Sequence, residues 1–273
     1  MINEYFVKSP SAFFYEQASK SSAVTDELLY GTRLFGVSSE PESEQWMCAE
    51  TDYGYRGFVQ KSNVQRRTGA GISERFVVTA PFCDVLPVPE YKYRPFLTLP
   101  KGSILEKTSD YGNVCGFTDV SICGKRFFVR AENVTLKKEL DEALTPDKKR
   151  KNIVDTALSY LETPYRWGGK SPCGIDCSGL CFESYFLNGI KLWRDAVPDG
   201  KYVRQIRLEE LKEGDLIYFK GHVDMYIGAG EYIHTSAALG KVCISSFDKN
   251  SAVYYPKLDG KIIMCARSIA LGD

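Results

Sequence analysis

The chain has 273 residues, 44% of them apolar and 26% charged, and its 35 Lys and Arg residues balance 35 Asp and Glu residues. A zero net charge argues against nucleic acid as a partner, because nucleic-acid-binding surfaces are usually basic. No apolar run approaches the roughly 20 residues that span a bilayer. The first ten residues, MINEYFVKSP, lack the basic and then apolar pattern of a secretory signal. The length allows more than one domain.

Nine cysteines are many for this length, and the number is odd. Without a signal peptide, free thiols in a reducing compartment are the simplest interpretation. A cytoplasmic location is therefore favoured, with secretion lacking a recognisable signal as the alternative. Free cysteines commonly behave as small buried apolar residues. That behaviour is expected of six of them: Cys48, Cys83, Cys115, Cys123, Cys243 and Cys265.

The N-terminal half reads as short strands after a small arm. Residues 1–22 are predicted to form this arm, with one short helix at about 12–18. From there to about residue 133, short apolar–polar alternations are broken by Gly, Pro and Asp, as in small antiparallel barrels. The pattern repeats loosely, which predicts one barrel over 23–75 and a second over 76–136.

A charged linker at about 137–146 leads into the remaining domain, predicted to run from 137 to 273. Thr145 and Pro146 mark a helix start, as N-cap and first helical residue. The helix should run to about Leu161, with an apolar stripe that includes Ile153 and Ala157. Five strand patterns follow, at 215–219, 222–228, 231–236, 241–246 and 262–269. Helices followed by an antiparallel meander give an α+β domain.

The stretch SPCGIDCSGLCF, residues 171–182, holds three evenly spaced cysteines. Asp176 is a plausible N-cap, which places Cys177 in the first turn of a helix. The unpaired N–H groups and the dipole there favour a negative charge, and hence a thiolate. Cys181 falls on the apolar side of that helix, and Cys173 lies in the preceding loop.

The chain has two histidines, His222 and His234, in adjacent predicted strands. If residues 228–230 form a three-residue loop, His222 opposes Ser236. His234 is then a diagonal neighbour on the same face, about 7–8 Å away. A two-residue loop would place the two imidazoles on opposite faces.

A nucleophile, a base and a group that orients the base form the general pattern of covalent catalysis. Cys177, His222 and His234 supply these three types. A metal site using Cys173, Cys177 and a histidine is the alternative. It fits less well, because zinc sites usually contain a C-x-x-C type pair and four ligands.

Several motifs also match a known family: TPYRWGGKSPCGIDCSGL (163–180), GDLIYF (214–219), HVDMYIG (222–228) and YIHTS (232–236). They resemble the NlpC-type cell-wall cysteine peptidases over about residues 147–270. The resemblance implies a papain-like α+β fold with Cys177 as nucleophile, His222 as base and His234 as orienting group.

The same resemblance implies further site residues. Tyr165 would help to stabilise the oxyanion, and Asp176 and Ser178 would border the substrate. Asp195 would hold the free amino terminus of a substrate. Trp167 is expected to serve in packing.

The two predicted barrels resemble bacterial SH3-type domains, and in relatives with this layout a barrel tyrosine and carboxylate help to select peptides with a free L-alanine. Tyr55 is the candidate tyrosine, whereas no candidate carboxylate emerges. The chain departs from the family at Trp193, Asp199 and Asp224, where other residues are usual. None of the three is expected to touch the catalytic triad.

The sequence thus predicts a cysteine endopeptidase that cleaves the γ-D-glutamyl–diamino-acid bond of peptidoglycan stem peptides. It is expected to act as a monomer and without a metal or organic cofactor. Two alternatives stay open: a catalytically silent murein-binding protein, and acyl-transfer or amidase chemistry on the same fold.

Overall fold

The computed structural model describes residues 4–37, 43–67, 74–108, 115–137 and 144–272. The chain divides into two compact units, Met1–Leu140 and Asp141–Asp273. Each unit is built around sheets whose strands are short, and the second unit adds two helices.

The first unit begins with a seven-stranded antiparallel sheet in the order β3-β2-β6-β5-β4-β1-β7. Its strands are β1 (Glu4–Val7), β2 (Ser11–Tyr15), β3 (Val24–Leu29), β4 (Arg33–Gly36), β5 (Trp46–Thr51), β6 (Arg56–Gln60) and β7 (Val64–Arg66). Buried Val7, Phe14, Leu28 and Val59 form part of the core that the sheet encloses.

The helix predicted at about 12–18 is wrong, and residues 4–15 are not a separate arm. They form β1, which pairs with β4 and β7, and β2, which pairs with β3. Burial alternates along β2, with Ala12 and Phe14 inside and their neighbours half-buried. This period of two is the pattern of a half-buried strand, and long-range pairing outweighs the local preference of alanine for helix.

A second group of strands completes this unit: β8 (Arg75–Val78), β9 (Phe82–Val85), β10 (Leu97–Pro100), β11 (Ile104–Lys107), β12 (Phe117–Ile122), β13 (Lys125–Arg130) and β14 (Val134–Leu136). Five of them form a sheet in the order β13-β12-β11-β8-β14, while β9 and β10 pair with each other. The small antiparallel sheets predicted for this half of the chain are confirmed.

The expectation that six cysteines are buried is confirmed at Cys83 and Cys265 and fails at the other four, of which Cys48 and Cys243 are half-buried. Cys115 and Cys123 are exposed. Cys123 and Gly124 form the two-residue turn between β12 and β13, with φ values of 51° and 76°. A turn with two positive φ values lies at the end of a hairpin, where no core is available to cover the thiol.

The second unit contains α1 (Pro146–Leu158) and α2 (Cys177–Phe186). Thr145 caps α1 through a bond from the Lys148 N–H, which confirms the predicted start. The helix ends three residues earlier than predicted, and Leu161 is exposed. Neither described helix is long and apolar enough to cross a membrane.

The helices accompany a six-stranded antiparallel sheet in the order β17-β22-β18-β19-β20-β21. Its strands are β17 (Val203–Ile206), β18 (Leu216–Phe219), β19 (His222–Gly228), β20 (Glu231–Thr235), β21 (Val242–Ser246) and β22 (Met264–Ser268), and a short hairpin of β15 (Lys170–Ser171) and β16 (Gly174–Ile175) precedes α2. All five predicted strands are present, and β17 was not predicted. Buried Asp215 joins α1 to β22 through Arg150 at 2.9 Å and Arg267 at 2.8 Å.

The β19–β20 hairpin has the predicted register but not the predicted turn. Gly228 pairs with Glu231, so the turn has two residues, Ala229 and Gly230, both with positive φ. The register then shifts, and Tyr226 pairs with Tyr232, which leaves Ile227 as an extra residue. This β-bulge restores the side-chain phase that a three-residue loop would have given. The predicted three-residue loop is wrong, but His222 and His234 still share a face.

Candidate active site

The first turn of α2 presents Cys177. The Asp176 carboxylate caps the helix by accepting a hydrogen bond from the Gly179 N–H at 2.6 Å. This confirms the N-cap predicted from sequence and places the half-buried Cys177 thiol where orphan N–H groups converge. Cys181 is buried one turn further along, and Cys173 is exposed in the preceding loop, both as predicted.

A buried arginine from another segment holds this helix start in place. The two terminal nitrogens of Arg194 each lie 3.1 Å from an oxygen of Asp176, and one donates to Ser178 Oγ at 2.9 Å. The Gly168 N–H donates to the same carboxylate at 2.7 Å. Asp176 and Ser178, predicted to border the substrate, are therefore engaged by the protein itself. Sequence reasoning missed Arg194, because nothing local links it to residues 16 and 18 positions away.

Two glycines allow α2 to approach the loop before it. A Cβ built on Gly179 would lie 2.2 Å from the Gly169 carbonyl oxygen, far inside van der Waals contact. The glycine of the DCSG motif is thus a steric requirement of the site.

Beside α2, β19 and β20 bring the two imidazoles together. The ring centroids of His222 and His234 are 5.8 Å apart, and the rings meet edge to face. His222 is slightly exposed, whereas His234 is fully buried. Cys177 lies close enough to His222 to raise the pKa of its imidazole. The three residues that the sequence singled out are thus neighbours.

A carboxylate lies between the two imidazoles, which corrects the expectation that Asp224 does not touch the triad. Asp224 Oδ1 is 2.6 Å from His222 Nε2 and 3.7 Å from His234 Nδ1. The 2.6 Å contact is not aligned as an ideal hydrogen bond, and neither carboxylate oxygen has another hydrogen-bond partner in the described ranges. Asp224 is fully buried. Its position two residues after His222 on the same strand was the available signal, because side chains at i and i+2 share a face.

The surroundings shift the pKa values of the two imidazoles in opposite directions. Burial alone would lower the pKa of His222, but the contacts with Asp224 and Cys177 outweigh it and raise the pKa to about 10. Burial lowers the pKa of His234, the positive charge of His222 adds to the lowering, and Asp224 offsets it in part. His234 Nε2 lies 3.0 Å from Ser245 Oγ. The arrangement favours a protonated His222 beside a neutral His234.

Tyr165 and Trp167 lie in the loop that precedes β15. Burial raises the pKa of Tyr165, and the nearby negative charges of Cys177 and Asp176 raise it further, so its hydroxyl stays protonated as a donor. The expectation that Trp167 packs inside is wrong, since 68% of it is exposed. A large exposed ring is a surface on which a ligand can pack.

The remaining predicted site residues are Asp195 and Tyr55. Asp195 is half-buried and directly follows Arg194. Tyr55 belongs to the first unit, where its hydroxyl donates to the Thr25 carbonyl at 3.4 Å. The next residue, Asp26, is a buried carboxylate that accepts from the Tyr53 hydroxyl.

In the described part of the chain, one cluster has the spacing of metal ligands: His222, Asp224 and His234. The predicted metal alternative, with Cys173 and Cys177, is not among such clusters. Two ligands of one tetrahedral zinc ion at about 2.0–2.1 Å would lie roughly 3.3 Å apart. The 2.6 Å separation of Asp224 Oδ1 and His222 Nε2 is shorter than this, so the two atoms do not have the spacing of ligands to one zinc ion.

Comparisons with known proteins agree with this geometry. Residues 162–257 match the model of the NlpC/P60 family. Dipeptidyl-peptidase 6 from Lysinibacillus sphaericus is 36% identical over 250 residues, which cover 89% of this chain and 91% of the relative. A γ-D-glutamyl-L-lysine dipeptidyl-peptidase from Bacillus subtilis is 25% identical over 229 residues, covering 77% and 73% of the two chains.

Among solved structures, an NlpC/P60 family protein from Bacillus cereus shares the fold, with a TM-score of 0.76 at 20% identity, over 97% of this chain and 99% of the other. The architecture is accordingly an N-terminal all-β unit, which fits SH3-like domains, followed by an NlpC/P60 domain of papain-like fold. Because a relative of similar length matches nearly the whole sequence and the family model covers the segment with Cys177, His222 and His234, the chain belongs to the NlpC/P60 family and is a peptidase.

Proposed function

We propose that the protein is a cysteine endopeptidase that hydrolyses the γ-D-glutamyl–diamino-acid bond of peptidoglycan stem peptides and prefers substrates with a free N-terminal L-alanine. The observation that carries the chemistry is Cys177 at a capped helix start, coupled to a base with a raised pKa. The bond is suggested by the Bacillus subtilis relative, whose name specifies γ-D-glutamyl-L-lysine.

In the acylation step, the Cys177 thiolate attacks the carbonyl carbon of the γ-carboxyl group of D-glutamate. The C–N bond breaks as His222 gives its proton to the departing amine, and a thioester remains on Cys177. His222 then takes a proton from water, and the resulting hydroxide attacks the thioester carbonyl. The acid is released, and the thiolate is restored. His234 belongs to the polar groups that keep His222 in place.

Negative charge develops on the carbonyl oxygen in both steps. Backbone N–H groups at the start of α2 point to where a ligand oxygen would sit next to Cys177. The Tyr165 hydroxyl, kept protonated by burial and by nearby negative charge, is the proposed second donor. Removing one such donor typically costs about 10²–10³ in kcat. Tyr165→Phe should therefore lower kcat by roughly that factor and change KM little.

We also propose that a free amino terminus is read by Asp195. Asp176 and Ser178 would shape the substrate side through their fixed positions at the helix start. Acetylation of the substrate amine removes its positive charge, and with it the attraction to Asp195.

The test is mass spectrometry of L-Ala-γ-D-Glu-diaminopimelate incubated with the protein, beside its N-acetylated form and the L-lysine analogue. Cys177→Ala is the matched control. Cleavage between D-Glu and the diamino acid, in the free-amine peptides alone and with intact Cys177 alone, is the expected result.

Release of an acyl-transfer or side-chain amide product in place of the cleaved peptide would refute the endopeptidase assignment. Binding to insoluble murein without any soluble product, with equal behaviour of Cys177→Ala, would refute the catalytic role altogether.

A further inference from the structure

We propose that Asp224, and not His234, is the residue that directly positions and charges the base His222, and that His234 supports Asp224 from the neighbouring strand. The inference deepens the proposed function and rests on His222 as the base. In this arrangement each residue contacts the next in the order Cys177, His222, Asp224 and His234.

Strand geometry explains why Asp224 is the inner member of this line. His222 and Asp224 are two residues apart on β19 and so share a face. Met225 pairs with Ile233 on β20, which makes Asp224 and His234 the adjacent cross-strand pair. Asp224 Oδ1 therefore reaches His222 Nε2 at 2.6 Å, while His234 Nδ1 lies further from the same oxygen, at 3.7 Å.

Burial makes the charge of Asp224 consequential. A buried carboxylate is costly unless it is paired with an opposite charge or fully hydrogen-bonded. Neither oxygen has an aligned hydrogen bond in the described ranges, and its ion contacts there are with the two imidazoles. The other titratable groups near Asp224 are acids. Burial and, after it, Asp224 raise the pKa of Tyr232 and Cys243, whereas burial and then Cys177 raise the pKa of Cys181 more than Asp224 does. An imidazolium at His222 is the counter-charge that this arrangement provides.

His234 suits a supporting role better than a charged one. Burial lowers its pKa, and its Nε2 faces Ser245 Oγ at 3.0 Å, which can donate to it. That tautomer leaves Nδ1–H directed at Asp224. Aromatic rings enclose the imidazole, including Tyr255 with its centroid 5.5 Å away. His234 is thus a neutral imidazole behind the carboxylate, with Nδ1 3.7 Å from Asp224 Oδ1.

The consequence for the reaction concerns one proton. With Asp224 at Nε2, that nitrogen keeps its hydrogen in both charge states of His222, and Nδ1 is left to exchange a proton with Cys177. The carboxylate also stabilises the imidazolium that exists while Cys177 is a thiolate.

The experiment compares Asp224→Asn with His234→Gln, and uses Asp248→Asn, the same change at an exposed turn, as the matched control. Two quantities are measured. One is kcat for the free-amine tripeptide. The other is the pH midpoint of Cys177 alkylation by iodoacetamide, located by peptide fragmentation because Cys173 and Cys181 share its tryptic fragment.

Asp224→Asn should lower kcat by about 10³–10⁴, the effect of removing an orienting carboxylate in a comparable triad, and should raise the alkylation midpoint by at least about one pH unit. His234→Gln should lower kcat by less than about 10² and leave the midpoint nearly unchanged. Asp248→Asn should match the unmodified protein. If Asp224→Asn does not fold, Asp224→Ser removes the charge with a smaller side chain and is judged by the same two values.

A kcat of Asp224→Asn within tenfold of the unmodified protein, or an unchanged midpoint, would overturn the proposal. So would a larger loss in His234→Gln than in Asp224→Asn. Alkylation needs no substrate, which separates this proposal from the proposed function. If no peptide is cleaved but the midpoint rises in Asp224→Asn alone, the substrate assignment fails while the role of Asp224 stands.

Discussion

Replacing Arg194 with methionine tests how much of the catalytic helix start depends on one buried side chain. Methionine keeps most of the length and removes the charge. The change leaves the Asp176 carboxylate, which is 10% exposed, without the two contacts at 3.1 Å that Arg194 provides. Breaking a buried ion pair by removing one partner costs about 3–5 kcal/mol of unfolding free energy.

The size of the effect makes it measurable by calorimetry. For a domain of this size, roughly 3–5 °C of Tm accompany each kcal/mol, so the transition of the catalytic unit should fall by about 10–20 °C. Turnover measured well below that transition should fall too, because Asp176 then caps α2 less firmly and Cys177 shifts. Arg194→Lys keeps the charge but not the bidentate geometry. Its Tm and turnover should therefore lie between those of Arg194→Met and the unmodified protein.

A double-mutant cycle isolates the pair. Asp176→Asn keeps a side chain that can cap the helix but removes the negative charge. Combined with Arg194→Met, it should lower the free energy of unfolding by clearly less than the sum of the two single changes, since each single change already removes the same ion pair. If Arg194→Met lowers the free energy of unfolding by less than about 1 kcal/mol, or if the losses of the two single changes are strictly additive, Arg194 does not hold the Asp176 carboxylate in place.

Three further predictions concern the same unit. Gly179→Ala should reduce both Tm and kcat, because the new Cβ would meet the Gly169 carbonyl oxygen at 2.2 Å; unchanged values would contradict this steric requirement. The pKa of His222 is raised to about 10, so its contribution to stability is fully present below about pH 6.5 and is lost as the pH rises towards 10. The free energy of unfolding measured in urea should therefore decline more steeply from pH 7 to pH 10 in the unmodified protein than in His222→Gln. Parallel pH curves would refute this contribution of His222. Asp215→Ala should destabilise the unit by about 3–5 kcal/mol in the same assay, because it removes the buried carboxylate that both Arg150 and Arg267 contact; a loss below 1 kcal/mol would contradict this.

The sequence by itself determined the parts that depend on neighbouring residues. The cap at Asp176 and the place of Cys177 after it follow from the chemistry of a helix start, which spans four residues. The strands of the catalytic sheet follow from alternation over five to seven residues. The family follows from motifs that keep their order and spacing.

Tertiary structure decided what depends on distant residues. Residues 4–15 are strands because β4, β6 and β7 pair with them, although the segment itself suggested an arm with a helix. Arg194 reaches Asp176 because the chain folds back, and no periodicity connects the two.

The position of Asp224 in the site depends in part on the local sequence and in part on tertiary structure. The strand period placed it on the face of His222, but a bulge at Ile227 set the register that puts it opposite His234. A one-residue change in register moves every side chain to the other face. Whether the two imidazoles meet, with a carboxylate between them, was therefore decided by hairpin geometry that the sequence allowed but did not impose.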